Sequence, residues 1–315
     1  MALKAALQGL LDGSCSLPGS TIRKLAEIRP YRNGSRIKRD GTIRPIAEPG
    51  PLLRRVQDYL VEHVWGGLQV HDAAHGYVES RSIVTHAAIH TSPLVLVTMD
   101  IADFFGRVTE PRVAELLIAA GSRAAPAQLA AALCTRSPAG SPAVPVLPQG
   151  APTSPGLANA AFFWVDCALR ELARGLGFDY SRYVDDLAFS MSNGTRRIAE
   201  PAISGLCAGA GVALCAAGFA LNRTKTRVRW FYERQEITGL VVNSAPGKPP
   251  VRAPRERWRT MRAAMTNVAK NGASKKKLEE LHGMASFLAM TDPGRAEQYL
   301  EPLALLMKWS DFDER

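Results

Sequence analysis

The amino-acid sequence predicts an α+β fold, and three observations lead there. The β-branched run Leu94-Val95-Leu96-Val97-Thr98-Met99 ends on Asp100 and reads as a short buried strand. Phe178 to Ser190 reads as two further strands meeting at Val184-Asp185-Asp186. Helical stretches lie between and after these segments, and strands joined by hairpins and interleaved with helices indicate α+β.

Taken in chain order, the N-terminal MALKAALQGLLDG has its apolar run broken by Gln8 and Asp12, which suits a short amphipathic helix better than a signal peptide. Pro/Gly-rich joints follow at Glu48 to Pro51, Ser137 to Pro148 and Ser244 to Pro254. Between them, Thr109 N-caps a helix that runs through Leu117 and stops near Gly121. Ser154-Pro155 supplies an N-cap and an N1 proline for a second helix ending around Gly175-Leu176-Gly177. The joint at Ser244 to Pro254 reads as a hinge, because a basic helical stretch follows it.

With 315 residues, 46% of them hydrophobic, the chain is large enough for two domains or one multi-lobed domain. It should bury about three-quarters of its unfolded surface, so no disulfide or metal staple is needed. No stretch approaches the roughly 18–20 apolar residues that cross a bilayer, and no membrane partner is expected. Five cysteines without a C-x-x-C spacing argue against a disulfide framework and a cysteine-built zinc site. They read as buried and inert, in a reducing cytoplasm. The net charge of +10 is concentrated in two blocks, Arg23 to Arg55 and Arg252 to Lys277, a distribution that suits a polyanion held at both ends.

The most informative segment is Tyr183-Val184-Asp185-Asp186-Leu187-Ala188-Phe189-Ser190. An Asp-Asp pair at a hairpin tip is ordinary turn chemistry. Asp100 changes that reading, because a carboxylate at the end of a buried strand is costly unless compensated. If the hairpin lies beside that strand end, Asp100, Asp185 and Asp186 converge, and a divalent cation would balance their repulsion. Oxygen-only ligands select Mg²⁺, and two such ions about 3.5–4 Å apart would activate a 3′-hydroxyl and stabilise leaving pyrophosphate. These pieces form a palm for nucleotidyl transfer.

The sequence resembles the reverse transcriptases, and within them the bacterial retron type, from about Ile28 to at least Asn243. Tyr183-Val184-Asp185-Asp186 resembles the Y-x-D-D box, and Met99 to Phe105 the first-aspartate motif. Leu147-Pro148-Gln149-Gly150-Ala151-Pro152-Thr153-Ser154-Pro155 is similar to the L-P-Q-G-x-P-x-S-P loop. Ala74 to Val84, with His75, resembles the retron segment ahead of the first aspartate. His86-Ala87-Ala88-Ile89-His90 is similar to the retron N-A-x-x-H signature, with His86 where Asn is usual. Ile237-Thr238-Gly239 resembles the V-T-G signature, associated in retron enzymes with handling their own RNA.

The resemblance implies a right-hand polymerase: N-terminal helices and fingers over 1–92, a palm over 93–245 with fingers elements interleaved at about 110–155, and a basic helical thumb over 246–315. It implies metal binding at Asp100, Ile101, Asp185 and Asp186, with Lys225 protonating the pyrophosphate. Nucleotide contacts fall to Lys38, Arg44, Ile101, Phe105 and Gln149, the Phe105 ring excluding a 2′-hydroxyl. Nucleic-acid contacts fall to His75, Arg255, Arg257, Arg259, Lys275, Lys276 and Lys277. Trp230, Trp258, Trp309 and the remaining histidines read as packing residues or RNA contacts. The implied activity is RNA-directed DNA synthesis from dNTPs and Mg²⁺. The template–primer is a cognate structured RNA, the synthesis is primed from an RNA 2′-hydroxyl to give a branched RNA–DNA hybrid (msDNA), and an effector protein in anti-phage defence accompanies it. The rivals are another bacterial reverse transcriptase, of group II intron or defence-associated type, and a non-catalytic RNA-binding scaffold of the same fold.

Overall fold

A computed structural model describes residues 2–13, 16–37, 41–137, 143–243 and 249–313. Helices α1 (Ala2–Asp12) and α2 (Gly19–Ile28) precede a hairpin of β1 (Tyr31–Ile37) and β2 (Ile43–Pro49), then α3 (Pro51–His63) and α4 (Ile83–Ala88). Strand β3 (Val95–Asp100) leads to α5 (Glu110–Ala119), α6 (Ala124–Cys134), α7 (Ser154–Ala161) and α8 (Phe163–Gly175). Next come β4 (Asp179–Tyr183), β5 (Asp186–Met191), α9 (Arg196–Ala216), β6 (Arg227–Trp230), β7 (Glu236–Ile237) and β8 (Leu240–Val241). Three helices close the chain, α10 (Arg255–Asn271), α11 (Lys275–Ala289) and α12 (Pro293–Asp313). This mixture of helices and antiparallel sheet is the α+β fold expected.

The central sheet has the order β4-β5-β3-β6, every pair antiparallel. Strand side chains alternate between faces. Val95, Val97 and Met99 of β3 face the main core, with Leu169, Phe162 and Leu206 from the helices. Leu96, Thr98 and Asp100 therefore face the other way, where Leu96 and Ala188 join a smaller core with Ala87, Ile237 and Leu240. The C-terminal helices bury a separate core of their own around Met261, Leu281 and Leu303.

Several sequence readings change in detail. Thr109 takes the N-cap position of α5, but its hydroxyl makes no capping bond. The second helix starts at Ser154 with Thr153 as N-cap, because the Ser154 hydroxyl donates instead to the Pro148 carbonyl at 2.7 Å. It also divides into α7 and α8 at Phe162, whose ring is fully buried against Phe104 and Phe219. The cysteines are not uniformly buried: Cys134 is, Cys167 and Cys207 are half-buried, and Cys215 is exposed. Helix α9, 21 residues with a mean hydropathy of 1.5, is long and apolar enough to cross a membrane by length and composition, contrary to the expectation that no such stretch exists. Here it packs Ala199, Ile203, Leu206, Ala210 and Leu214 onto the main core. Residues 138–142 of the loop, residues 244–248 of the hinge, Lys38 and the Trp309 side chain lie outside the described residues.

Candidate active site

Asp100 and Asp186 are register partners across β3 and β5, so both project onto the face opposite the main core. The β4–β5 turn consists of Val184 and Asp185, and the Ile101 N–H donates to the Asp185 carbonyl at 2.9 Å, which ties the hairpin tip to the end of β3. Val184 holds φ +60°, a conformation costing on the order of 1–3 kcal/mol for a β-branched residue. Its surroundings hold it there. The Arg182 guanidinium donates to the Val184 carbonyl at 2.9 Å. Gly76 lies so close that a Cβ would meet the Val184 backbone nitrogen at 2.9 Å and its Cγ2 at 2.5 Å.

Arg182 is the buried brace of this turn. It pairs with Asp166 of α8 at 2.7 Å, both side chains 0% exposed, and also donates to Asn159 at 2.9 Å. Tyr180 donates to the same Asp166 carboxylate at 2.6 Å. The guanidinium sits 4.7 Å from the centre of the Phe162 ring. Sequence reasoning passed over both Arg182 and Asp166. The available signal was an arginine within a strand destined for burial, together with an aspartate on the apolar face of the preceding helix.

On the other side of β3, a 3₁₀ turn at Arg223–Lys225 brings the Lys225 Nζ to 2.9 and 3.0 Å from the two Asp100 oxygens. Asp100 is 8% exposed, and Lys225 is the cation that compensates it. The hydrogen bond to Asp100 holds the Lys225 ammonium above its usual range. Loss of surrounding water raises Asp185, with the Asp100 charge adding to it. Asp186 opens onto the cleft, and desolvation followed by the charges of Asp185 and Asp100 pushes it up to about 7.

These groups share a cavity of about 450 Å³ that is also lined by Arg44, Ile101, Phe105, Gln149 and Tyr77. Phe105 presents a half-buried ring, edge-on to Phe104 at 5.5 Å; Phe104 itself is core, 3% exposed. Gln149 is fixed because its carbonyl accepts from the Ala47 N–H of β2 at 2.7 Å. The next residue, Gly150, has φ +112° and no room for a Cβ against the Ala47 carbonyl, so the loop can lie directly on the N-terminal hairpin.

The donor set fits a hard divalent cation: the side chains offer carboxylate oxygens only, clustered closely enough that the Asp100 charge helps to raise Asp185 and Asp186. Among the described residues, no group of three or more His, Cys, Asp or Glu side chains forms a ready metal cage. Like charges repel, and Asp100 is turned to Lys225.

The other predicted residues lie elsewhere. His75 is 7% exposed and bonded to the Thr85 hydroxyl at 2.9 Å, and burial depresses its pKa to about 4, so it offers no charge to a phosphate. His90 is locked between the Ser181 and Ser190 hydroxyls at 2.7 Å each, a packing role. His86 is fully buried, its ring 5.9 Å from that of Tyr183. Trp258 is core beneath Arg295. Of the C-terminal basic residues, Arg257 lines a second cleft of about 780 Å³ that runs from Tyr183 and Asp186 past Arg227, Arg229 and Thr238 to Phe287. Arg255, Arg259, Lys276 and Lys277 are exposed and Lys275 is half-exposed, and none of the five lines either cavity.

The sequence profile of the reverse transcriptases (RNA-dependent DNA polymerases) matches residues 37–244, the span that builds the central sheet and the whole lining of the cavity. The chain belongs to the reverse transcriptase family. Among its relatives are the retron Mx162 and Mx65 reverse transcriptases of Myxococcus xanthus, 41% identical over 290 residues and 35% over 291. These alignments cover 85% and 89% of this chain but 59% and 65% of the relatives, so the chain spans less than two-thirds of their length. The retron Ec86 reverse transcriptase of Escherichia coli is 25% identical over 252 residues, 79% of this chain and 72% of the relative. Within the family, the similarity is to the retron type.

Proposed function

We propose that the protein is an RNA-directed DNA polymerase of the retron type, copying part of a cognate structured RNA into an RNA-linked DNA in the cytoplasm. The observation that carries this reading is the meeting of Asp100, Asp185, Asp186 and Lys225 in one cavity with Arg44, Phe105 and Gln149. In it the central sheet acts as palm, the β1–β2 hairpin and neighbouring helices as fingers, and α10–α12 as thumb.

Asp100, Asp185, Asp186 and the Ile101 backbone would hold the divalent cations. When bound, two Mg²⁺ ions supply activation of the attacking hydroxyl and charge stabilisation of the leaving pyrophosphate. Arg44 and Lys38 neutralise the incoming triphosphate. The Phe105 ring lies under the sugar and clashes with a ribose 2′-hydroxyl, while Gln149 lines the nucleotide pocket by hydrogen bonding. Lys225, kept protonated by Asp100, donates its proton to the pyrophosphate oxygen as the P–O bond breaks. The basic C-terminal helices contact template–primer phosphates, which makes binding strongly salt-dependent. Priming from an RNA 2′-hydroxyl and an accompanying defence effector follow from the similarity to retron enzymes.

The test is co-expression with the RNA encoded just upstream, then sequencing of the nucleic acid that copurifies, beside a D185A/D186A control. A short DNA joined to RNA through a 2′–5′ branch, absent from the control, is the expected result. RNA without DNA, from a protein that still extends a supplied primer, would remove the retron assignment and leave the polymerase. No synthesis in either assay overturns both.

A further inference from the structure

Beyond the active cavity, β6 is the open edge of the central sheet and carries an unusual surface. Register pairs Arg227 with Thr98 and Arg229 with Leu96, so both arginines stand on the cleft face that bears Asp100 and Asp186. The Phe231 N–H continues the ladder to the Leu94 carbonyl at 2.9 Å, which by alternation sets Phe231 on that face as well. Phe231 is 60% exposed, and the neighbouring Tyr232, 64% exposed, meets it edge-to-face at 5.3 Å. Neither ring belongs to a core cluster of the described residues, and both present most of their surface to solvent.

The charge around them is one-sided. Arg229 makes no ion pair among the described residues, and Arg227 is braced only by the Thr224 and Thr226 carbonyls. The nearby acids are already engaged: Glu233 accepts from the Trp230 N–H at 2.9 Å, and Glu236 is held by Arg234 at 2.8 Å. Both arginines line the cleft that begins at Asp186, together with Thr238, whose hydroxyl is buried without a partner. From Asp100 to the level of Phe231 is six strand residues, about 20 Å.

We infer that this edge is a track for unpaired RNA flanking the paired template–primer, with Arg227 and Arg229 on the phosphates and bases stacked on Phe231 and Tyr232. Unpaired RNA is the occupant the chemistry favours: exposed rings beside unneutralised arginines match single-strand recognition, whereas a duplex hides its base faces from stacking. The track's continuity with the cleft ties it to the polymerase reading, on which the inference rests.

The experiment measures binding of a fluorescein-labelled 12-mer oligo(U) RNA to the full chain, beside single-nucleotide incorporation on a fully paired DNA primer–RNA template. F231A/Y232A should lose about ten-fold or more in oligo(U) affinity, since stacking contributes about 1–3 kcal/mol per base. F231W/Y232W should keep that affinity and F231L/Y232L should not, which separates stacking from apolar contact and from misfolding. R229Q should lower the salt slope of oligo(U) binding by about one. Incorporation on the paired substrate should stay within two-fold for the aromatic variants. Unchanged oligo(U) affinity in F231A/Y232A, retention by the leucine variant, or an equal loss of incorporation would overturn the track. A wild-type protein that incorporates nothing would sink the polymerase reading instead, while the oligo(U) comparison would still report on the surface.

Discussion

Asp166→Ala tests whether the Val184-Asp185 turn depends on a buried charge. The Asp166–Arg182 pair is 0% exposed on both sides, with contacts of 2.7 and 2.9 Å. Removing the carboxylate leaves the guanidinium with Asn159 and the Val184 carbonyl but no counter-charge. Breaking such a pair from one side costs about 3–5 kcal/mol, a large part of the roughly 5–15 kcal/mol that holds a domain folded. Replacing both partners by apolar residues of similar volume, Asp166→Leu with Arg182→Met, should restore most of that stability, because no charge is then stranded. It should not restore nucleotide incorporation: the Val184 carbonyl loses its donor and nothing holds the φ +60° turn. Urea unfolding of the wild type and both variants at pH 7.5, beside single-nucleotide incorporation, reads the two effects separately. A loss below about 1 kcal/mol in D166A, or a double variant less stable than the single one, would refute the stranded-charge argument.

Asp186, raised to about 7, should make divalent-cation binding release protons near pH 6.5 and none at pH 8.5, measured by calorimetry in buffers of different ionisation enthalpy. The sign follows from the direction of the shift. A carboxyl raised in the folded state favours folding below its ordinary pKa of 3.8, and that contribution is lost as pH rises through about 7. A bound cation, by favouring the charged form, should therefore stabilise the protein more at pH 8 than at pH 6. Gly76→Ala would drive a methyl into the Val184 backbone, so incorporation should fall about ten-fold or more while thermal unfolding shifts by no more than the about 1–3 kcal/mol typical of overpacking. Phe105→Ala should leave dNTP incorporation within a few-fold and raise the rNTP-to-dNTP ratio of kcat/KM by about ten-fold or more; an unchanged ratio would return Phe105 to the core.

Three sequence segments carried most of the site. A strand ending on Asp100, a hairpin tip at Asp185-Asp186 and the Leu147 to Pro155 loop are each local patterns, set by alternation and turn chemistry within a few residues. Eight of the residues named from them and from the segments around Arg44 and Lys225 line one cavity. Position in a motif did not report that the His75 ring is buried, because only its packing with Thr85 and His86 decides that.

By itself, the sequence determined the α+β class, the three strands that carry Asp100 and the Asp185-Asp186 tip, and the basic character of the C-terminal helices, because each rests on periodicity or composition over short spans. Tertiary structure alone decided which residues oppose one another. Asp100 meets Asp186 through strand register and Lys225 through a 3₁₀ turn 125 residues downstream. Arg182 finds Asp166 through the packing of α8 on the sheet, and Arg229 falls in line with Phe231 because β6 pairs at the edge. Such pairings are chosen by burial and by the satisfaction of charge across the whole core, and no local stretch of sequence contains both partners.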